Sequence, residues 1–325
     1  MNSMSRGVVA LALCAFALGG CATSSTDLKT PTDAFATAAG AAQTALQSYD
    51  NTIDGGILQT NTALALSGKG VVKAAEGDCG AKSTRCRIVL TGVGDKERPL
   101  DAQPSDPVTR QIMAGVVTYA ANLQTIVAID TQAGIQSATT TTLANINGLA
   151  TAVDPSLATK LAPFTAPIND ATTMILGAYL DSQKLAALRT ATSAMEIVLP
   201  TAEMTWEARA VRVADQMQVD LATAFNKAQS AYALDPKSAQ KLAALQTAAT
   251  AYDTFLSTDP KSAFTALVTA HKTLAQALQP ASGGKPDFAQ ALLDIQRAID
   301  TAKKVTAIVQ EFQAAAHPAA SPATP

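Results

Sequence analysis

Between Ile112 and Ile126 the apolar residues fall at 112, 116, 119, 123 and 126, the 4-3-4-3 spacing that lines one face of an α-helix. The same period recurs along most of the chain, and the residues that interrupt it set the expected ends of each helix. Phe35, Ala39, Ala42, Leu46 and Tyr49 form a first stripe. Thr30 is a natural N-cap for it, Pro31 suits the first helical position and Asp33 suits the positive first turn. Gly55-Gly56 marks its expected stop, and a second helix is expected from Ile57 through Leu64, Leu66, Val71 and Val72 to Gly77, the two making a helical hairpin. Asp106-Pro107 opens the helix of the 112–126 stripe. That stripe weakens at Gly134 and over Thr139–Thr142, then returns at Leu143, Ile146, Leu149 and Val153. A helix continuous to Ala152 would be about 70 Å long.

Further helices follow by the same logic. Asp154-Pro155 is read as another start, broken early at Pro163 and Pro167 and resumed beyond Asp170 through Ile175, Tyr179, Leu185, Leu188, Met195 and Val198 to Pro200. Thr201-Ala-Glu203 begins a strongly periodic run of Trp206, Ala210, Val213, Met217, Leu221, Phe225, Ala228 and Tyr232. Asp235-Pro-Lys-Ser-Ala239 and Asp259-Pro-Lys-Ser-Ala263 repeat one helix-start chemistry, but the residues after them do not align, so they are not duplicated modules. Ala228–Pro236 faintly resembles the end of a tetratricopeptide repeat without that repeat's period or pattern. Leu242, Leu245, Tyr252 and Phe255 mark one of the two helices, and Phe264, Leu267, His271, Leu274 and Leu278 the other. The last helix is expected from Asp287 through Phe312, after a turn at Ser282-Gly-Gly-Lys285-Pro286, and the Pro/Ala tail 317–325 is expected to be disordered.

Residues 77–105 break the pattern. They carry Cys79 and Cys86, the short apolar run Ile88-Val89-Leu90, and a density of charge that includes Arg85 and Arg87. The expectation is a surface excursion with a short strand or hairpin, stapled by a Cys79–Cys86 disulfide. Arg85 and Arg87 are then candidate contact residues, although a solvated connector is the reading the composition favours. Asp50-x-Thr52-x-Asp54-Gly55 has the look of half a calcium loop, but the twelfth position is Asn61 rather than a bidentate Glu, so a turn is expected there.

Composition sharpens the class. Aromatic residues are 4% and charged residues 15% of the 325, with Ala, Thr, Gln and Leu abundant, which fits helices packed through small residues. The formal net charge of −2 argues against nucleic acid as a partner. Ile112 to Ile129 is uncharged, but Thr118, Asn122, Gln124 and Thr125 argue against a membrane span.

The start of the chain supplies an address. Arg6 is followed by an apolar run, Val8 to Leu18, too short to span a bilayer, and then Leu18-Gly19-Gly20-Cys21 and a polar stretch. These residues resemble the signal and lipobox of bacterial lipoproteins. The resemblance implies cleavage before Cys21 and acylation of Cys21, including a palmitate-type chain, so that the membrane becomes a partner through lipid. Ala22 rather than Asp after the cysteine implies the outer membrane, facing the periplasm. The expected organisation is a signal peptide over 1–20, a polar tether over 21–30 reaching about 30 Å, and a helical domain over 31–316. The leftover pair Cys79 and Cys86 then sits in an oxidising compartment.

Candidate chemistry is sparse. His317 lies in the tail, and His271 sits on an apolar stripe with Leu267, Val268, Leu274 and Ala275 at helical spacing, which points to a core or edge histidine. Neither Gly-x-Ser-x-Gly, His-Glu-x-x-His nor a cysteine cluster occurs. Trp206, with Arg209 and Arg212 close by, has the composition of an interface hot spot, but its helical spacing with Val213 and Met217 favours a core tryptophan. The expected fold is all-α: an elongated bundle of long antiparallel helices with one disulfide-stapled loop. The expected function is a non-catalytic envelope lipoprotein, a scaffold or interaction component meeting an envelope protein partner, with no cofactor and no metal. The alternatives are a periplasmic small-ligand-binding helical module using Trp206 and nearby Arg, and a membrane-perturbing helical protein using 111–152.

Overall fold

The computed structural model describes residues 25–66, 71–74, 88–91, 98–99, 107–165, 176–256, 259, 261–279 and 286–316. The signal, Cys21, Cys79, Arg85, Cys86, Arg87 and the tail lie outside them. These residues are overwhelmingly helical, as the periodicity requires. The helices are α1 (Ser25–Leu66), α2 (Pro107–Ala128), α3 (Gln132–Val153), α4 (Leu157–Leu161), α5 (Leu176–Leu234), α6 (Ala239–Leu256), α7 (Ser262–Leu278) and α8 (Ala289–Ala316), with a 3-10 turn over Ala162–Thr165. Between α1 and α2 runs a three-stranded antiparallel sheet in the order β1 (Val71–Ala74), β2 (Ile88–Thr91), β3 (Arg98–Pro99).

Several expected boundaries are corrected. α1 begins at Ser25, not Thr30, so most of the tether expected over 21–30 is helix. The reason is Leu28, fully buried and seven residues before Phe35, which extends the apolar stripe past Pro31. The proline removes one helical N–H, while the Thr32 hydroxyl donates to the Leu28 and Lys29 carbonyls at 2.9 and 3.0 Å. α1 also continues through Gly55-Gly56 to Leu66, so neither the hairpin nor the turn expected there forms. Each glycine costs a helix only about 1 kcal/mol, which a long helix absorbs. Val71 and Val72, expected in a helix, are strand residues, paired with Thr91 and Leu90. Their β-branched side chains suit a pleated strand. Pro99 sits on β3 at the edge of the sheet, the place in a sheet where a residue with no N–H to donate is tolerated.

The long helix considered for 107–152 is instead two. Thr131 is an extended N-cap whose hydroxyl accepts from the Gly134 N–H at 3.2 Å. Gly134 therefore belongs to a helix start: a Cβ there would lie 2.5 Å from Ile129 Cγ2 and 2.8 Å from Thr131 Oγ1. Asp154, expected to start a helix, is the C-cap of α3. Its carboxylate accepts from the Ser156 N–H at 2.8 Å, a bond that holds its pKa below the usual value. Pro200, expected to end a helix, lies inside the 59-residue α5. Pro200 and Glu196, whose carbonyl loses its rung, are both exposed, so the gap falls on the solvated face. The repeated Asp-Pro-Lys-Ser segments form the same turn, with Ser238 N–H donating to Asp235 O at 3.2 Å and Ser262 N–H to Asp259 O at 3.0 Å.

The region expected as one domain divides into two compact units. Unit 1 comprises Met1–Thr37, Gly115–Pro200 and Val268–Gln296; unit 2 comprises Ala38–Ala114, Thr201–Leu267 and Arg297–Pro325. The core of unit 1 includes Leu28, Phe35, Val116, Tyr119, Leu123, Ile126, Ile146, Leu188, Met195, Leu274 and Ile295. A Cβ on Gly115 would lie 3.1 Å from Leu149 Cδ1, so α2 and α3 meet closely there. The core of unit 2 gathers Ala45, Tyr49, Met217, Leu221, Ala251, Phe255, Ala302, Val305, Val309 and Phe312.

Candidate functional site

Trp206 is a core residue of unit 2, as its helical spacing favours, rather than the interface residue that its arginine neighbours suggest. Placed on the buried side of α5 by its spacing with Ala210 and Met217, it is 4% exposed and meets Phe264 with ring centroids 6.2 Å apart. It lines a cavity of about 10 Å³ with Leu46, Tyr49, Met113, Phe264 and Val305, room for roughly one water. The lining is apolar apart from the Tyr49 hydroxyl and the indole N–H, and that N–H has no hydrogen-bond partner among the described residues. Burial, with the Asp259 charge as a lesser cause, raises the Tyr49 pKa well above its ordinary value. Arg209 and Arg212 are within α5, but their side chains lie outside the described residues.

The opposite side of α5 is the exposed one. Met204 is 61% exposed, Val211 39% and Val219 60%. At 100° per residue the three fall within about 80° of one another and about 145° from the centre of the buried stripe. They form a ridge of apolar side chains in solvent, with Ala208, Asp215 and Gln218 also exposed. Met204, Val211 and Val219 lie off the Trp206 stripe, and only the burial of that stripe marks them as exceptional.

The buried polar residues of unit 1 form a different arrangement. Tyr119 OH and His271 Nε2 are 2.9 Å apart, and Phe35 meets Tyr119 edge-on and His271 at a tilt, with centroids at 6.2 and 5.6 Å. Burial drives the His271 pKa down to about 3, so the ring is neutral, as expected of a core histidine. Burial, with a lesser push from Glu196, carries the Tyr119 pKa well up. A neutral pair buried against Phe35 is part of the packing of the unit 1 core.

Lys184 escaped the sequence reading. Its side chain is buried and its Nζ lies 3.4 Å from Asp130 Oδ1, a carboxylate 90% exposed. The signal was present: 184, 188, 191 and 195 continue the apolar spacing with a lysine in its first place. Beside it, Gln183 Nε2 donates to Tyr179 OH at 2.6 Å.

Ser238-Ala-Gln-Lys241 has the spacing of a serine nucleophile and its lysine. Here the Ser238 hydroxyl accepts from the Lys241 N–H at 3.3 Å, and Lys241 Nζ lies 3.3 Å from Asp235 Oδ2. Both contacts cap and brace a helix start. Among the described residues no cluster of three His, Cys, Asp or Glu could hold a metal ion, and no helix is long and apolar enough to cross a membrane. No protein-family model, curated protein or solved structure matches the chain.

Proposed function

We propose that this chain is a lipid-anchored envelope protein that works by contact: Cys21 carries the lipid, and the helical body presents the α5 ridge to a protein partner at the periplasmic face of the outer membrane. The observation that carries this reading is the row Met204, Val211 and Val219, large apolar side chains left in water on a helix whose other side is buried. The lipobox-like Leu18-Gly19-Gly20-Cys21 supports the address. A Cys79–Cys86 disulfide bracing a loop that carries Arg85 and Arg87 gives a second contact surface on this reading.

The ligand-binding alternative has little support beside Trp206, where the cavity has room for about one water. The membrane-perturbing alternative needs the apolar residues of 111–152 free to meet lipid, and Ile112, Val116, Tyr119, Leu123 and Ile126 are buried.

The test is the variant Met204→Asp, Val211→Asp, Val219→Asp, isolated with its neighbours from solubilised membranes. Circular dichroism and thermal melting unchanged from the parent chain, with loss of one envelope protein from the co-isolated set, is the expected result. The same set recovered with the folded variant overturns the ridge as the contact.

A further inference from the structure

We infer that the beginning of α1 marks the end of unit 1 that faces the bilayer, held against the lipid headgroups by a very short tether. The inference rests on acylation of Cys21. From Cys21 to Ser25 the chain reaches about 14 Å when fully extended, at 3.3–3.6 Å per residue. At Ser25 the helix begins, and from its first turn it is part of the unit: Leu28, Pro31 and Thr32 are buried. The slack expected from a ten-residue tether is absent, so the surface around Ser25–Lys29 cannot leave the headgroup layer by more than this reach.

The contacts of unit 1 say what else lies at that end. Gln124 Nε2 donates to Asp33 Oδ1 at 2.9 Å, and Phe35 meets Tyr119 at 6.2 Å. Numbers rise along α1 as they fall along α2, so these helices are antiparallel. The end of α2 at Ala128 and the turn Ile129–Thr131 therefore lie beside the start of α1. Asp130, Thr131 and Gln132 are exposed there. Among the described residues the charge at this end is mixed: Asp27, Asp33 and Asp130 alongside Lys29 and Lys184, with Lys29 paired to Asp33 and Lys184 Nζ 3.4 Å from Asp130 Oδ1. These described residues carry no basic excess that would draw the surface to anionic lipid. The tether enforces the approach, which is therefore insensitive to salt.

A fluorescent noncanonical residue at Gln132 or at Thr151 tests this. Both are exposed, and they stand at opposite ends of α3, about 28 Å apart at 1.5 Å per residue. Full-length acylated protein is placed in phosphatidylcholine vesicles carrying a headgroup-linked acceptor dye. Energy transfer from Gln132 is expected to be several-fold greater than from Thr151, unchanged by added salt. A flexible Gly/Ser insert of about ten residues after Ser24 should erase most of the difference. Protein that floats with the vesicles yet gives equal transfer at the two positions, or more at Thr151, overturns the orientation and leaves the anchor standing. An unmodified Cys21 by mass, with no flotation, overturns both.

Discussion

His271 shows how the burial of a single imidazole sets a pH limit on the fold. His271 has its pKa lowered to about 3 by burial, against about 6.5 in an unfolded chain. Between these values the unfolded state binds the extra proton, so stability falls as pH drops through that window and is fully present above it. Imidazole resonances of His271 should not titrate from pH 8 to pH 5, and the melting temperature should decline with acid below about 6.5. Tyr119→Phe removes the hydroxyl from His271 Nε2 and should cost about 1–3 kcal/mol by thermal denaturation. Lys184 gives a second contrast. Lys184→Met takes a buried ammonium away and should leave stability equal or higher, whereas Asp130→Asn leaves the charge buried without its partner and should lower it. His271 was readable because its helical neighbours are all apolar. Lys184 is only half legible: 184, 188, 191 and 195 keep the helical spacing, but a lysine there reads as a gap in the stripe until the fold shows its long stem lying inside.

At the scale of elements, helices were legible and their ends were not. The 4-3-4-3 stripe of α2 is buried at all five positions. Pro31 and Pro200 were read as starts or stops because a proline breaks one rung. Leu28 on one side, and Val198, Leu199 and Ala202 around the other, bury enough apolar surface to carry the helix across. Pro200→Ala restores that rung at an exposed site and should raise stability by up to about 3 kcal/mol. Gly134 sets two effects against each other. Alanine is the better helix former by about 1 kcal/mol, but its Cβ would stand 2.5 Å from Ile129 Cγ2. A branched side chain held in a tight turn has little room to yield, so Gly134→Ala should lower the melting temperature. Val71 and Val72 illustrate the remaining errors: a short apolar run is compatible with helix or strand, and only its pairing with Thr91 and Leu90 decides.

At the scale of the whole molecule, the proposed lipid address and the apolar ridge give the protein a place and a surface to act with. The proposed address rests on local sequence, the four residues Leu18-Gly19-Gly20-Cys21 and the apolar run before them. The ridge does not, because Met204, Val211 and Val219 become exceptional only once Trp206, Ala210 and Met217 are seen to be buried behind them. The same distinction applies to the cysteines. If Cys79 and Cys86 are paired as proposed, reductant should add two hydrogens to the intact mass, and oxidised protein should resist alkylation. The most direct measurement is photo-crosslinking in intact cells from a probe at Val211, with Lys303, exposed on α8, as the control position. Contact through the ridge predicts one dominant envelope-protein adduct from Val211, weak or absent from Lys303, and lost when Cys21→Ser releases the chain from the membrane. No adduct from Val211 in membrane-bound protein, or the same adducts from both positions, would contradict it.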